Sequence, residues 1–225
     1  MKVFLFALLA VLNVAAVSAQ TMDAQVRVLH ASPDAPAVNV RVNGNVVFEG
    51  LPYKGFTGYV PLRAGTYVFE VEVAPMGPVV LRETFTVAAN VTYTFMAVGR
   101  VSGGSNPLQL YGYGDDPTPV MGQARFRVVH AAPSAPSVDV YASSPYLALS
   151  SLTPALRNVP FAAAGPFLSV PAGLYQARVT LAGTRTVAID SGAVSLMGNT
   201  VRTVVALDPD RPGGPFQLLF LPDAN

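Results

Sequence analysis

The sequence predicts an all-β protein, two tandem immunoglobulin-like antiparallel β-sandwich domains behind an export signal. Three observations carry this. The composition is 51% hydrophobic and only 12% charged, with 19 Gly and 20 Pro, which suits short strands and many turns. Apolar residues alternate with period two in one segment after another. Most of the chain also repeats itself once: "VRVLHASPDAP" from Val26 returns as "FRVVHAAPSAP" from Phe126.

The chain opens with Lys2 and an apolar run, "VFLFALLAVLNVAAV", that ends in "SAQ". A basic start, an apolar centre and small residues at Val17 and Ala19 define a signal peptide over residues 1–19, cleaved before Gln20. The run falls short of the roughly 20 residues a membrane span needs, and no later segment is long and apolar enough. The expected address is outside the cytoplasm: periplasmic, cell-surface associated or extracellular. There is no cysteine, so neither disulfides nor a lipid-bearing cysteine can be used. Without Lys2 the remaining Lys and Arg equal the 13 acidic residues, so the broad positive field that nucleic acid requires is missing.

The repeat sets the domain organisation. At a shift of 100, Arg27, Val28, His30, Ala31, Pro33, Ala35, Pro36, Val38 and Val40 all meet identical residues. At a shift of 108, "LPYKGFTGYVPLRAGTY" meets "VPFAAAGPFLSVPAGLY", and "PLQLYGYGD" meets "PFQLLFLPD". The difference places about eight extra residues in the second copy, within "ASSPYLALSSLTPALRN". The expected domains are 23–112 and 124–223, joined by a Gly-, Asp- and Pro-rich linker over 113–123. Each copy has its own strand set, so two separately folding units are expected.

Within each copy, Val26, Val28 and His30 share one strand face, as do Phe126, Val128 and His130, while Arg27 and Arg127 point the other way. Val38, Val40 and Val42 alternate with polar residues and lead into Asn43-Gly44, the pair favoured by a type I′ hairpin. "TYVFEVEV", "TFTV", "TYTFMAV" and "LQLYGY" supply further strands. Gly65 and Gly173 each precede a Tyr by two residues, Tyr67 and Tyr175, at a strand start. That arrangement matches a tyrosine corner, in which the hydroxyl bonds back to the main chain.

The stretch "VRVLHASPDAPAVNVRVNG", followed by "AGTYVFEV", "TYTFMAVG" and "LQLYGYGDD", resembles a bacterial secreted family, domain of unknown function 4397. The resemblance covers both copies and implies a secreted or envelope immunoglobulin-like domain, often in tandem behind a signal peptide. It brings no catalytic residues. The first copy departs at Asn39 and Arg41, where the family has Asp and Tyr. The second has these as Asp139 and Tyr141, but carries Ser134 in place of Asp34 and lacks the Asn-Gly turn.

The two histidines of the chain, His30 and His130, stand at matching places before "AxPxAP". Prolines 33, 36, 133 and 136 withhold N–H groups and bend the chain out of pairing. A neutral imidazole can donate from one nitrogen and accept at the other, so the expected role is a structural clamp on this turn. Metal ligation and general-base catalysis are the competing roles. No Cys, HxH or G-x-S-x-G pattern accompanies either histidine. Asp115-Asp116 and Asp208 with Asp210 could offer oxygens to calcium, but neither fits an EF-hand loop, and no phosphate-binding glycine loop occurs. The expectation is no metal and no cofactor.

The insert is the asymmetric feature. Tyr146, Leu147, Leu149 and Leu152 make it apolar for a loop, and Thr153-Pro154 could cap a short helical turn. It is either a flap on its own sandwich or a surface for a partner. The functional expectation is a non-enzymatic structural, adhesive or protein-binding protein, with a protein or glycan partner at the cell envelope. The alternative is an accessory carbohydrate- or peptide-binding module, which the absence of Trp disfavours.

Overall fold

The computed structural model describes residues 23–224, and the segment expected to be a signal peptide lies outside the described residues. The first copy contains β1 (Asp23–Ala31), β2 (Val38–Val42), β3 (Asn45–Leu51), β4 (Val60–Arg63), β5 (Gly65–Val73), β6 (Val79–Val87), β7 (Thr92–Val98) and β8 (Gln109–Asp115). These form two four-stranded sheets, ordered β4-β1-β7-β8 and β3-β2-β5-β6. The second copy contains β9 (Gln123–His130), β10 (Val138–Ser143), β11 (Leu156–Val159), β12 (Leu168–Pro171), β13 (Gly173–Leu181), β14 (Val187–Leu196), β15 (Thr200–Leu207) and β16 (Gln217–Ala224). Its sheets, β12-β9-β15-β16 and β11-β10-β13-β14, repeat the first pair strand for strand. The protein is thus a pair of all-β sandwiches. Most pairings are antiparallel, but β1–β7 and β9–β15 are parallel.

Local chemistry explains the turns. Asn43 and Gly44 have φ of 51° and 80°, as a type I′ turn demands, and β2 returns directly as β3. In the second copy the insert replaces that hairpin. Its helical turn falls at Leu149–Ser151, ahead of the Thr153-Pro154 start expected from sequence. Leu152 is already extended, and the residue before a proline is pushed the same way. The chain therefore enters β11 instead of a helix. Asn39 and Asp139 are buried equivalents. Asn39 Oδ1 accepts from Gly50 N–H at 2.9 Å, and Asp139 Oδ1 from Asn158 N–H at 2.7 Å. Gly50 and Asn158 have φ of 62° and 48°, so each carboxamide or carboxylate oxygen holds a left-handed residue at the irregular β2–β3 or β10–β11 pairing.

Each sandwich has an interior core. Val26, Val28, Val40, Phe69 and Phe95 centre the first, and Phe126, Val128, Val140, Val179 and Val204 the second. A further cluster belongs to both sandwiches. Leu29, Ala31, Met96 and Val98 of the first pack with Val129, Ala131, Val205, Leu207 and Leu221 of the second, none more than 2% exposed. β1, β7, β9 and β15 are therefore buried on both faces. The two units expected to fold separately share a core.

Candidate functional site

Arg27 and Arg127 point away from their own interiors, and that direction leads into the seam between the sandwiches. Arg27 is 1% exposed. Its Nε donates to Thr94 Oγ1 at 2.8 Å and its Nη1 to the Pro222 carbonyl at 2.8 Å, while Nη2 pairs with the Asp223 carboxylate. The guanidinium lies 4.5 Å from the centre of the Tyr59 ring. Arg127 repeats every contact from the other side: Nε to Thr203 Oγ1 at 3.0 Å, Nη1 to the Gly114 carbonyl at 2.8 Å, and Nη2 to Asp115. Phe167 takes the place of Tyr59, 5.0 Å from the guanidinium. Thr94 and Thr203 pass the chain of bonds on, each donating to the carboxylate on its own sheet, at 2.6 and 2.7 Å. Buried charges paired and hydrogen-bonded in this way lock two surfaces in one register.

The histidine turns flank this seam. His30 and His130 are 2% and 1% exposed. Nε2 of His30 lies 3.0 Å from the Pro36 carbonyl, and Nε2 of His130 lies 3.0 Å from that of Pro136. A carbonyl only accepts, so Nε2 carries the proton. Nδ1 then accepts the N–H of Ser32 at 3.3 Å, and of Ala132 at 3.4 Å. Burial holds both imidazoles below their ordinary pKa, against the opposing pull of the proline carbonyls. Tyr53 and Phe161 meet the two rings edge-on at 6.3 and 6.2 Å. Pro33 and Pro133 lie inside the two turns, and the Pro133 carbonyl accepts from Asn106 Nδ2 of the first sandwich at 2.8 Å. Tyr67 and Tyr175 donate to the carbonyls of Arg63 and Pro171, both at 3.0 Å and both four residues back.

The acidic residues weighed for calcium are tied to cations. Asp115 holds Arg127, Asp116 holds Arg125 at 2.6 Å, Asp208 holds Arg100 at 3.0 Å, and Asp210 holds Lys54. Asp208 also accepts from Ser134 Oγ at 2.7 Å. The first copy does the reverse: Asp34 sits on the turn and accepts the N–H groups of Val101 and Ser102 at 2.9 and 3.0 Å. Ser134 in place of Asp34 is thus answered by a carboxylate from the facing loop.

The insert stands apart from the seam. Tyr146 is 86% exposed and Leu147 49%, while Leu149 and Leu152 are half-buried or better covered at its base. Arg178 Nη2 donates to the Leu147 carbonyl at 2.8 Å, and Arg185 Nη2 to that of Leu152 at 3.0 Å. The Arg185 guanidinium also covers the buried Tyr141 ring at 5.3 Å. The loop backbone is thereby stapled to β13 and its hairpin, with Tyr146 and Leu147 outward. Beside it lies a mixed polar cleft of about 300 Å³, with Asp139, Tyr141, Arg157 and Arg185 in its walls.

Sequence reasoning missed the seam. Its signal was available in "VLHA", "TFMAV" and "TVVAL", which are apolar on both strand faces, the pattern of doubly covered strands.

Fold and site together define a double β-sandwich whose buried polar residues build the body and whose second copy adds a loop that holds Tyr146 and Leu147 outward. The family model described as "Domain of unknown function (DUF4397)" matches residues 24–141, more than half of the chain, and the protein belongs to that family. A search of curated protein sequences finds no significant match. Among solved structures the chain is similar to the Bacillus anthracis TIE protein, at 10% identity and a TM-score of 0.27, over 83% of this chain and 34% of that one. It thus spans about a third of that protein's length. It is also similar to a carbohydrate-binding module of Eubacterium rectale, solved with maltoheptaose (9% identity, TM-score 0.27, 87% of this chain and 96% of that one). A third likeness is to a putative adhesin of Bacteroides ovatus (9% identity, TM-score 0.27, 88% and 92%). Among the described residues no helix is long and apolar enough to cross a membrane.

Proposed function

We propose that this protein is an exported, non-enzymatic binding or structural protein of the cell envelope or extracellular space, and that the insert of its second sandwich makes the contact with a protein partner. The observation that carries this reading is the tip of the insert. Tyr146 and Leu147 stand 86% and 49% exposed on a backbone already held by Arg178 and Arg185. An aromatic and an aliphatic group on a pre-ordered loop lose little conformational entropy when a partner covers them. The groups with most chemical capacity support the non-enzymatic part. Both imidazoles, and the carboxylates of Asp115 and Asp223, are engaged in the body of the fold.

The test is capture of cross-linked partners from the native envelope fraction, with the full mature chain as bait. Replacing Tyr146 and Leu147 together by Ser should remove the captured protein and leave the melting temperature unchanged. Capture that survives the substitution would refute the loop's role. A glycan is the second reading, favoured by the polar cleft beside the insert. It requires retention on a glycan array that Arg157→Ala abolishes.

A further inference from the structure

The two sandwiches match in register but differ inside. In the first, Phe69, Phe85 and Phe95 fill the interior, with ring centres of Phe69 and Phe85 at 4.4 and 5.0 Å from Phe95. Strand pairing identifies their counterparts. Phe95 faces Val28, and Val204 faces Val128 in the same parallel pairing. Phe85 faces Tyr67, as Val194 faces Tyr175. Phe69 faces Val42, as Ala177 faces Ala142. Three phenyl rings thus become two valines and an alanine.

The rim changes in the opposite sense. Gly112 faces Phe95, and Phe220 faces Val204. A Cβ on Gly112 would lie 2.8 Å from the Phe95 ring, so a large residue there excludes the phenyl trio. Phe220, by contrast, is 40% exposed. The second sandwich has therefore emptied its centre and placed one ring at its edge. A cavity of about 60 Å³ remains, with Val128, Val140, Ala177, Val194 and Val204 in its walls. It reaches the edge strands β14 and β16, where Ser191 and Phe220 contribute to the lining, with Arg202 of the neighbouring β15. A water needs roughly 10–15 Å³ of such space and two or more polar partners, whereas the wall here is almost wholly apolar. The space suits apolar matter.

The geometry points to a binding site for a small apolar group, an alkyl chain of about three to five carbons, in the centre of the second sandwich; the size follows from several water-sized volumes fitting end to end. A polar head on such a ligand would remain at the edge beside Ser191 and Arg202. This site is separate from the insert and does not rest on its role.

Methyl NMR of the full mature chain, titrated with isobutanol and separately equilibrated with xenon, tests it. Saturable shifts are expected at Val128, Val140, Val194 and Val204, and none at Val87 and Val98, 1% and 0% exposed in the first sandwich, which serve as an internal control. Val204→Phe combined with Phe220→Gly copies the Phe95–Gly112 pair of the first sandwich, places a ring in the cavity and should abolish the saturable shifts. Absence of saturable shifts in the unaltered protein, or equal shifts in both sandwiches, overturns the site whether or not the double variant folds. Saturable shifts that persist in a folded double variant overturn it as well.

Discussion

Arg27 of the first sandwich and Asp223 of the second form an ion pair with side chains 1% and 0% exposed, although 196 positions separate them in sequence. Removing one member strands the other in a dry interior. Arg27→Ala or Asp223→Ala should each destabilise the protein by about 3–5 kcal/mol in urea unfolding. Replacing both by apolar residues of similar volume, as in R27M/D223L, should restore most of the loss. Arg127 and Asp115 should behave alike, being 3% and 0% exposed.

The shared cluster around Leu29, Met96, Val129 and Val205 sets the response to proteolysis. Residues 116–122 join β8 to β9 and are mostly exposed, so a protease should nick there first. The two fragments should then co-elute in size-exclusion chromatography, and the intact chain should melt in one transition. Separate elution and two melting steps would mean the seam contributes little.

Each histidine joins a turn to its own strand through two hydrogen bonds. His30→Ala and His130→Ala should each cost about 1–3 kcal/mol, the range for leaving buried backbone groups unpaired. Gln in place of His should recover part, since an amide can also donate and accept. Added zinc should leave the melting temperature of the unaltered protein where it was. Thermal melts of the four single variants, with and without zinc, check this.

The same bonds predict a pH dependence. Both imidazoles lie below 6.5 in the folded chain because burial disfavours the cation. As pH falls, the unfolded chain takes up these protons first. Stability from the two sites is therefore complete above about 6.5 and is lost as pH drops through the folded values. Protonation would also set an Nδ1–H against the N–H of Ser32 or Ala132. Asp115 works in the opposite sense, its pKa raised by burial against the pull of Arg127. The informative quantity is thus the difference between the unaltered protein and a His30→Gln/His130→Gln variant. Their melting curves should converge between pH 7 and 5.

The β-sandwich class, the strand alternation and the Asn43-Gly44 hairpin were legible because each rests on neighbours in sequence. Period two reports a face, and Asn-Gly reports a positive φ. What covers the second face of a strand is not local. Arg27 reads as solvent-facing until Pro222 and Asp223 are known to arrive from the far end of the chain. The histidine turn could be read because both partners of each imidazole lie within six residues. The insert's helical turn was placed too late because Thr-Pro is a start signal only where helix can follow, and Leu156 is already paired with Val140.

The seam reads the same from either side: Arg27 reaches Asp223 as Arg127 reaches Asp115, and each arginine also meets the carbonyl before that aspartate. A surface that meets its own likeness through the same contacts has the geometry of a two-fold dimer. Here the seven residues 116–122 make that dimer one molecule. Dilution cannot part the halves, because the tether keeps each at high effective concentration for the other. Fusion also frees them to diverge. A true dimer must carry every change twice, whereas here one half alone has the longer loop and the smaller interior side chains, and both keep the arginine–aspartate pairs of the seam.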